Sequence, residues 1–265
     1  MPFLERLGKS AGKIFYQDVA PSKTVVSETI PLILLHHGTG SVQSWRRQIP
    51  WLTEKCRVIA YDRLGHGQSD PLKTWSPWYH QEGVEELIEL MDSLKLEYAA
   101  LVGHSDGATI SLLAAAKYPS RFSSIVAEAP HMFHETDVVL KGFADFRQTM
   151  LNESRFQNAL AREHGDNAQV VLNRWLNWWE DPINYKWDDR SFLPEVSCPV
   201  LCIHGRQDLF FSVDHTEKIA SAVQNGRVEF LNAGHDIHSG AQDEYKEKVL
   251  AFFESHQDLE ISCNL

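Results

Sequence analysis

The pentapeptide Gly103-His104-Ser105-Asp106-Gly107 limits what this chain can fold into more than any other stretch of it. The apolar run 98–104 leads into it, and an alanine- and leucine-rich segment, 107–117, leads out. The first reads as a strand and the second as a helix, so the backbone must turn sharply between them. Glycine on either side of the serine suits such a corner, because bulk there would strike the crossing backbone. A serine at the corner stands above the edge of a sheet, with the helix N-terminus facing whatever sits beside it.

The rest of the chain supplies the strand–helix rhythm that such a corner needs. Residues 14–19 and 24–26 read as an opening antiparallel pair, and 32–36 form a continuous apolar run, expected of a strand buried on both faces. Residues 43–55 read as a helix interrupted by Pro50, and 57–62 as the next strand. The loop Asp62-Arg-Leu-Gly-His-Gly-Gln-Ser69 follows. Val84, Leu87, Ile88 and Met91 space out one face of a helix over 81–94. Strands are expected at 124–129, 200–204 and 228–231, with helices at 213–223 and 245–253. Alternation of this kind implies an α/β protein built on one large, mostly parallel sheet flanked by helices.

One segment breaks the rhythm. Residues 131–196 contain no convincing strand and are too long for a bare loop. Val171, Trp175 and Trp178 share a helical face, with Leu172, Leu176 and Trp179 beside them, a stripe wider than one packing surface needs. The expected organisation is a core of residues 1–130 and 197–265 with a helical cap, 131–196, inserted over the sheet ends. Residues 256–265 carry no pattern and are expected to be frayed.

The net charge of −11 argues against nucleic acid or an anionic membrane as partner, leaving a small-molecule substrate. Residues 1–12 mix Glu5, Arg6 and Lys9 among scattered apolar residues, unlike a signal peptide. Cys56, Cys198, Cys202 and Cys263 form no paired motif. The expected setting is reduced and cytoplasmic.

A serine hydroxyl is a weak nucleophile until a base takes its proton. A suitable base is His235 in Gly234-His235-Asp236, after strand 228–231 and before the last helix. The carboxylate that orients it is expected at Asp208, just beyond strand 200–204, in the chain order serine, acid, histidine. Glu128, at the end of the sixth strand, is the rival acid. His238, Asp236 and Asp214 lack a strand-end position. An oxyanion needs backbone donors, and the amides of Thr39, in His37-Gly-Thr-Gly40, and of Asp106 are placed to give them. His36 and His37 are expected to support that loop through hydrogen bonds. His37, Glu128, Trp175, Trp178 and Trp179 are candidates for a substrate pocket under the cap, Trp187 another cap tryptophan of the same kind. Among thirteen histidines, only His235-x-x-His238 has a metal-like spacing, and it lacks a companion glutamate and a third ligand, so no metal is expected. Gly65-His66-Gly67 lacks the third glycine of a dinucleotide fingerprint.

Taken in order, LILLHHGTG, YDRLGHGQSD, LVGHSDGATI, CIHGRQDLF and NAGHDIH resemble the α/β-hydrolase superfamily over about residues 24–253. The resemblance implies an eight-stranded, mostly parallel sheet, a lid after the sixth strand, and no cofactor. The serine–aspartate pair is similar to that of valacyclovir hydrolase-like esterases, where the matching aspartate anchors the ammonium group of an amino-acid ester. Here that residue is Asp106; His104 stands where those elbows carry tryptophan, and Ala108 where they carry a final glycine. The plainer reading makes Asp106 a polar residue at a helix N-terminus, favoured by the helix dipole. The expected chemistry is acyl transfer from a small to medium carboxylic ester. Lactone, amide or carbon–carbon bond hydrolysis on the same residues is the alternative. A cofactor-free dioxygenase or a low-turnover ligand receptor shares the constellation. Dehalogenases and epoxide hydrolases carry a carboxylate where this chain has Ser105.

Overall fold

The computed structural model describes residues 3–6, 11–22, 29–72 and 74–256. Eight strands form one sheet: β1 (Phe3–Arg6), β2 (Gly12–Val19), β3 (Leu32–Leu35), β4 (Val58–Tyr61), β5 (Ala99–His104), β6 (Phe122–Glu128), β7 (Pro199–Gly205) and β8 (Asn225–Leu231). Their order across the sheet is β1-β2-β4-β3-β5-β6-β7-β8. All neighbours are parallel except β1 with β2 and β2 with β4.

The helices are α1 (Ile49–Leu52), α2 (Tyr79–Ser93), α3 (Asp106–Lys117), α4 (Thr136–Asn152), α5 (Ser154–His164), α6 (Ala168–Glu180), α7 (Val213–Ala222), α8 (Ile237–Gly240) and α9 (Gln242–Ser255). None is long and apolar enough to cross a membrane.

Every residue of β3, β4 and β5 is buried, which is why these strands read as unbroken apolar runs. Successive side chains point to opposite faces, so the sheet has two cores. Ile33, Leu35, Ile59, Leu101 and Ile125 pack on one side with α2 and α3. Leu32, Leu34, Val58, Ala100 and Val102 pack on the other with Trp45 and the apolar side of α9. Leu35 pairs in register with both Tyr61 and Gly103, and Glu128 with both His104 and Ile203. That register ends the parallel strands together, so the loops that follow β3, β4, β5, β6 and β7 open on one edge, the edge where open α/β sheets bind ligands.

The opening of the chain differs from expectation. Strand β2 takes β1 as its antiparallel partner on one side and β4 on the other, and residues 24–26 lie outside the described residues. The expected helix over 43–55 is instead a 3-10 turn, Val42–Trp45, followed by the single-turn α1. Pro50 sits in the first turn of α1, where its missing N–H costs nothing. Of the tail expected to fray, residues 257–265 lie outside the described residues.

Between β6 and β7 the chain runs through α4, α5 and α6 with short 3-10 turns. The wide stripe on α6 has a direct cause: it packs on three partners at once. Trp175 and Trp179 meet Phe143 of α4, while Trp178 meets Tyr79 at the start of α2, and Trp175 also meets Phe210 beyond β7.

Candidate active site

Ser105 follows β5 directly and has φ +56° and ψ −118°, a left-handed conformation that costs a non-glycine residue about 1–3 kcal/mol. The surrounding backbone over-determines it. The Ser105 N–H donates to Glu128 O at 2.8 Å, and its carbonyl accepts from the amides of Ala108 and Thr109. A side chain at Gly103 would collide with the carbonyl of Gly107, and one at Gly107 with the carbonyl of Leu35. The two glycines let strand and helix cross closely enough to hold the serine at the corner.

Three loops deliver one hydrogen-bonded relay to that corner. With its proton on Nδ1, His235 donates to Asp208 Oδ2 at 2.8 Å and receives the Ser105 hydroxyl on Nε2 at 3.0 Å. The Asp208 side chain is wholly buried, and its Oδ1 accepts from the amides of Phe210 and Phe211 at 2.8 and 3.4 Å. Burial alone would raise the Asp208 pKa, but the charge and hydrogen bond of His235 dominate and lower it. For His235, burial disfavours the charged form, yet Asp208 outweighs it and raises the pKa above the ordinary histidine value.

Glu128 does not occupy the acid's position: Asp208 meets His235, and Glu128 pairs with His238 instead. Fully buried, it receives the amides of Ile237 and His238 on Oε1, each at 2.9 Å, and pairs with His238 Nδ1 at 2.8 Å. Burial works against a charged His238, but Glu128 overrides it and pushes its pKa up to about 9. The result is a buried ion pair that fixes the backbone just beyond His235. His104 Nε2–H donates to the carbonyl of His235 at 2.9 Å, and burial lowers the His104 pKa to about 4, in keeping with a neutral ring.

The loop after β3 is held by residues that its sequence does not announce. The Arg63 guanidinium donates to His36 O at 2.5 Å and His37 O at 3.1 Å. His36 accepts the Arg63 amide on Nε2 and donates through Nδ1 to His37 O. His66 Nε2–H donates to Gly38 O at 3.0 Å, and His164 Nε2–H, from the end of α5, to Thr39 O at 2.9 Å. With its carbonyls tied down, the loop leaves the Thr39 N–H a long contact, 3.4 Å to His37 Nδ1. The Asp106 N–H, first in α3, is among the amides a helix leaves without an internal partner. His37 touches Ser44 and Thr39, and so supports the loop. Arg63→Ala is expected to lower stability by about 1–3 kcal/mol for each carbonyl stranded in the interior. The accompanying kinetic change should fall on kcat more than on KM. Urea unfolding and steady-state kinetics check both.

The tryptophans divide by what their N–H groups do. Trp178 donates to Pro77 O at 3.0 Å, tying α6 to the segment before α2. Trp175 lies against the loop: a Cβ on Gly38 would collide with its Nε1 and approach Asp106 Oδ2 to 2.7 Å. The edge of Trp179 meets the His131 ring at 5.0 Å. Phe210 and Phe211 pack on His235 at 4.9 and 6.0 Å. Under this aromatic roof Ser105 is 1% exposed. The Asp106 carboxylate, equally buried, meets His131 Nε2 at 3.0 Å and His80 Nε2 at 3.5 Å through Oδ1. A separate cavity of about 330 Å³ lies beside α5, lined by Ser41, Arg46, Asp62, Arg162 and Glu163 among others. It includes no member of the serine relay.

A family model for the alpha/beta hydrolase fold matches residues 30–164. Serine hydrolase BPHL of Homo sapiens is 26% identical over 204 residues, covering 74% of this chain and 69% of that protein. The bifunctional esterase/perhydrolase DCH of Acinetobacter calcoaceticus is 26% identical over 278 residues, covering 93% and 98%. Among solved structures, the enol-lactonase from Burkholderia xenovorans LB400 superposes with a TM-score of 0.72 at 19% identity, covering 92% of this chain and 97% of that one. Sheet order, elbow and family match agree, and the chain belongs to the alpha/beta hydrolase fold family.

Proposed function

We propose that the protein is a serine hydrolase that cleaves small to medium carboxylic esters by two-step acyl transfer. The observation that carries this reading is the continuous relay from Ser105 Oγ through His235 to Asp208, at 3.0 and 2.8 Å. Ser105 attacks the substrate carbonyl as His235 Nε2 takes its proton, and Asp208 stabilises the imidazolium that forms. The amides of Thr39 and Asp106 receive the oxyanion, each such donor being worth about 2.7–4 kcal/mol of transition-state stabilisation. His235 then passes the proton to the departing alcohol and activates the water that releases the acid. Trp175, Phe210 and Phe211 form the apolar wall of the acyl site, and the helices over 131–196 act as its cap, parting to admit substrate because Ser105 is sealed beneath them.

Lactones deserve a place beside open-chain esters, since enol-lactonases are among the similar proteins and a lactone is an ester closed into a ring. The test is a panel of p-nitrophenyl esters, amino-acid esters and lactones, combined with fluorophosphonate labelling mapped by mass spectrometry. Turnover with the label on Ser105 is expected. Because only neutral His235 can accept the proton, kcat/KM should be low in acid and rise through an apparent pKa above about 6.5, the ordinary histidine value. A folded chain that turns over none of the panel, or carries the label elsewhere, overturns the reading. A marked preference for amino-acid esters would assign Asp106 Oδ2 as an ammonium anchor.

A further inference from the structure

Beside the serine lies a second cluster for which acyl transfer has no use. His80, at the start of α2, Asp106, at the start of α3, and His131, just beyond β6, come from three separate parts of the chain. All three are at most 1% exposed, and one ligand atom from each lies within 4.8 Å of the other two. His131 Nε2 stands 3.0 Å from Asp106 Oδ1, and His80 Nε2 stands 3.5 Å from the same oxygen. His80 Nε2 is buried, and its contact with Asp106, at 3.5 Å, is too long for a good hydrogen bond. A buried nitrogen left in this state is costly unless something else satisfies it.

We infer that His80, Asp106 and His131 form a binding site for one divalent transition-metal ion of the zinc class. Two imidazoles and one carboxylate are a donor set that such ions favour over magnesium or calcium. An ion about 2.0–2.1 Å from each of three tetrahedrally disposed donors sets those donors about 3.3 Å apart. The observed 3.0 and 3.5 Å bracket that spacing, so seating an ion needs shifts of a few tenths of an ångström along those two edges. The rings are already oriented by packing. His80 stacks on Trp187 at 5.2 Å and 22°, and His131 on Phe211 at 4.7 Å and 18°. With one anionic ligand the bound ion keeps a net positive charge and an open coordination position. One of its ligands, Asp106, is the residue that follows Ser105 in the chain, and an anionic or hydroxyl group of a substrate is what the open position would hold. The cluster His104, Glu128, Asp236 and His238 is a poorer host, because the Glu128 carboxylate is already engaged by two amides and a histidine.

The experiment uses the untagged full chain, stripped with a chelator and dialysed, titrated with Zn2+ by calorimetry and with Co2+ by visible absorption. One ion per chain is expected, with a Co2+ spectrum typical of low coordination number. His80→Gln and Asp106→Asn should each weaken Zn2+ binding by at least about tenfold to a hundredfold, the loss that changing even an outer-shell partner of a metal ligand commonly brings. His238→Gln, in the other cluster, should leave it unchanged. Circular dichroism of each variant establishes that it is folded, and binding is read without reference to ester turnover. A folded wild type that binds no Zn2+, or binding that survives both His80→Gln and Asp106→Asn, overturns the assignment.

Discussion

Ser105→Ala is expected to lower kcat on the best ester by about 10⁶-fold, with KM little changed. In the proposed mechanism the hydroxyl is the atom that bonds to the acyl carbon, and His235 and Asp208 serve it rather than replace it. What remains is the rate that substrate binding and the oxyanion donors give without a nucleophile. Asp208→Asn tests the other end of the relay and should cost about 10⁴-fold. An amide at that position presents its N–H to Nδ1 as readily as its oxygen, and the imidazole then holds the wrong tautomer. The size of that loss also distinguishes Asp208 from Glu128 as the acid. If Asp208→Asn were nearly silent while Glu128→Gln removed activity, the roles assigned here would have to be exchanged. Steady-state kinetics on purified, folded variants decides between them.

Glu128→Ala should produce the largest loss of stability. Its carboxylate faces His238, which is held charged in the interior with a pKa of about 9, and receives two backbone amides as well. Removing one partner of a buried ion pair strands the other, at a cost of about 3–5 kcal/mol. For a domain of this size that corresponds to a fall in Tm of roughly 6–20 °C. Glu128→Gln keeps an acceptor for the amides and should fall between wild type and alanine. Thermal unfolding followed by circular dichroism orders the three proteins. A Glu128→Ala protein as stable as wild type would mean that the pair contributes nothing to the fold.

The parts of this architecture that could be read from sequence are those carried by local pattern. The elbow was legible because glycines, strand and helix meet within five residues. The loops bearing Asp208 and His235 were legible because each follows an apolar strand, and the sheet then brings strand ends together. Strand β1 was not, since it is only four residues long at a sheet edge, and its large apolar side chain, Phe3, is 44% exposed. Nor were Arg63, His66 and His164, whose roles lie in contacts 26 to 125 residues away along the chain. Sequence spacing carries no record of such a meeting. Glu128 shows the same limit: its strand-end position was visible, whereas the choice of His238 over His235 as partner depends on which way the last loop turns. The four tryptophans of the inserted segment could be grouped but not sorted, because helical period gives a face and not the neighbour it meets.

His164 has a consequence for anyone recombining these proteins. It belongs to the inserted helices, yet it grips the carbonyl of Thr39 and receives the amide of Gly67, both in loops of the sheet. The insert is therefore not an interchangeable module resting on a self-sufficient engine. A chimera that grafts a foreign insert onto this sheet to change its substrate would also remove one of the fastenings of the loop that carries the Thr39 amide. Such grafts should retain a histidine at this junction, or select for another donor to replace it.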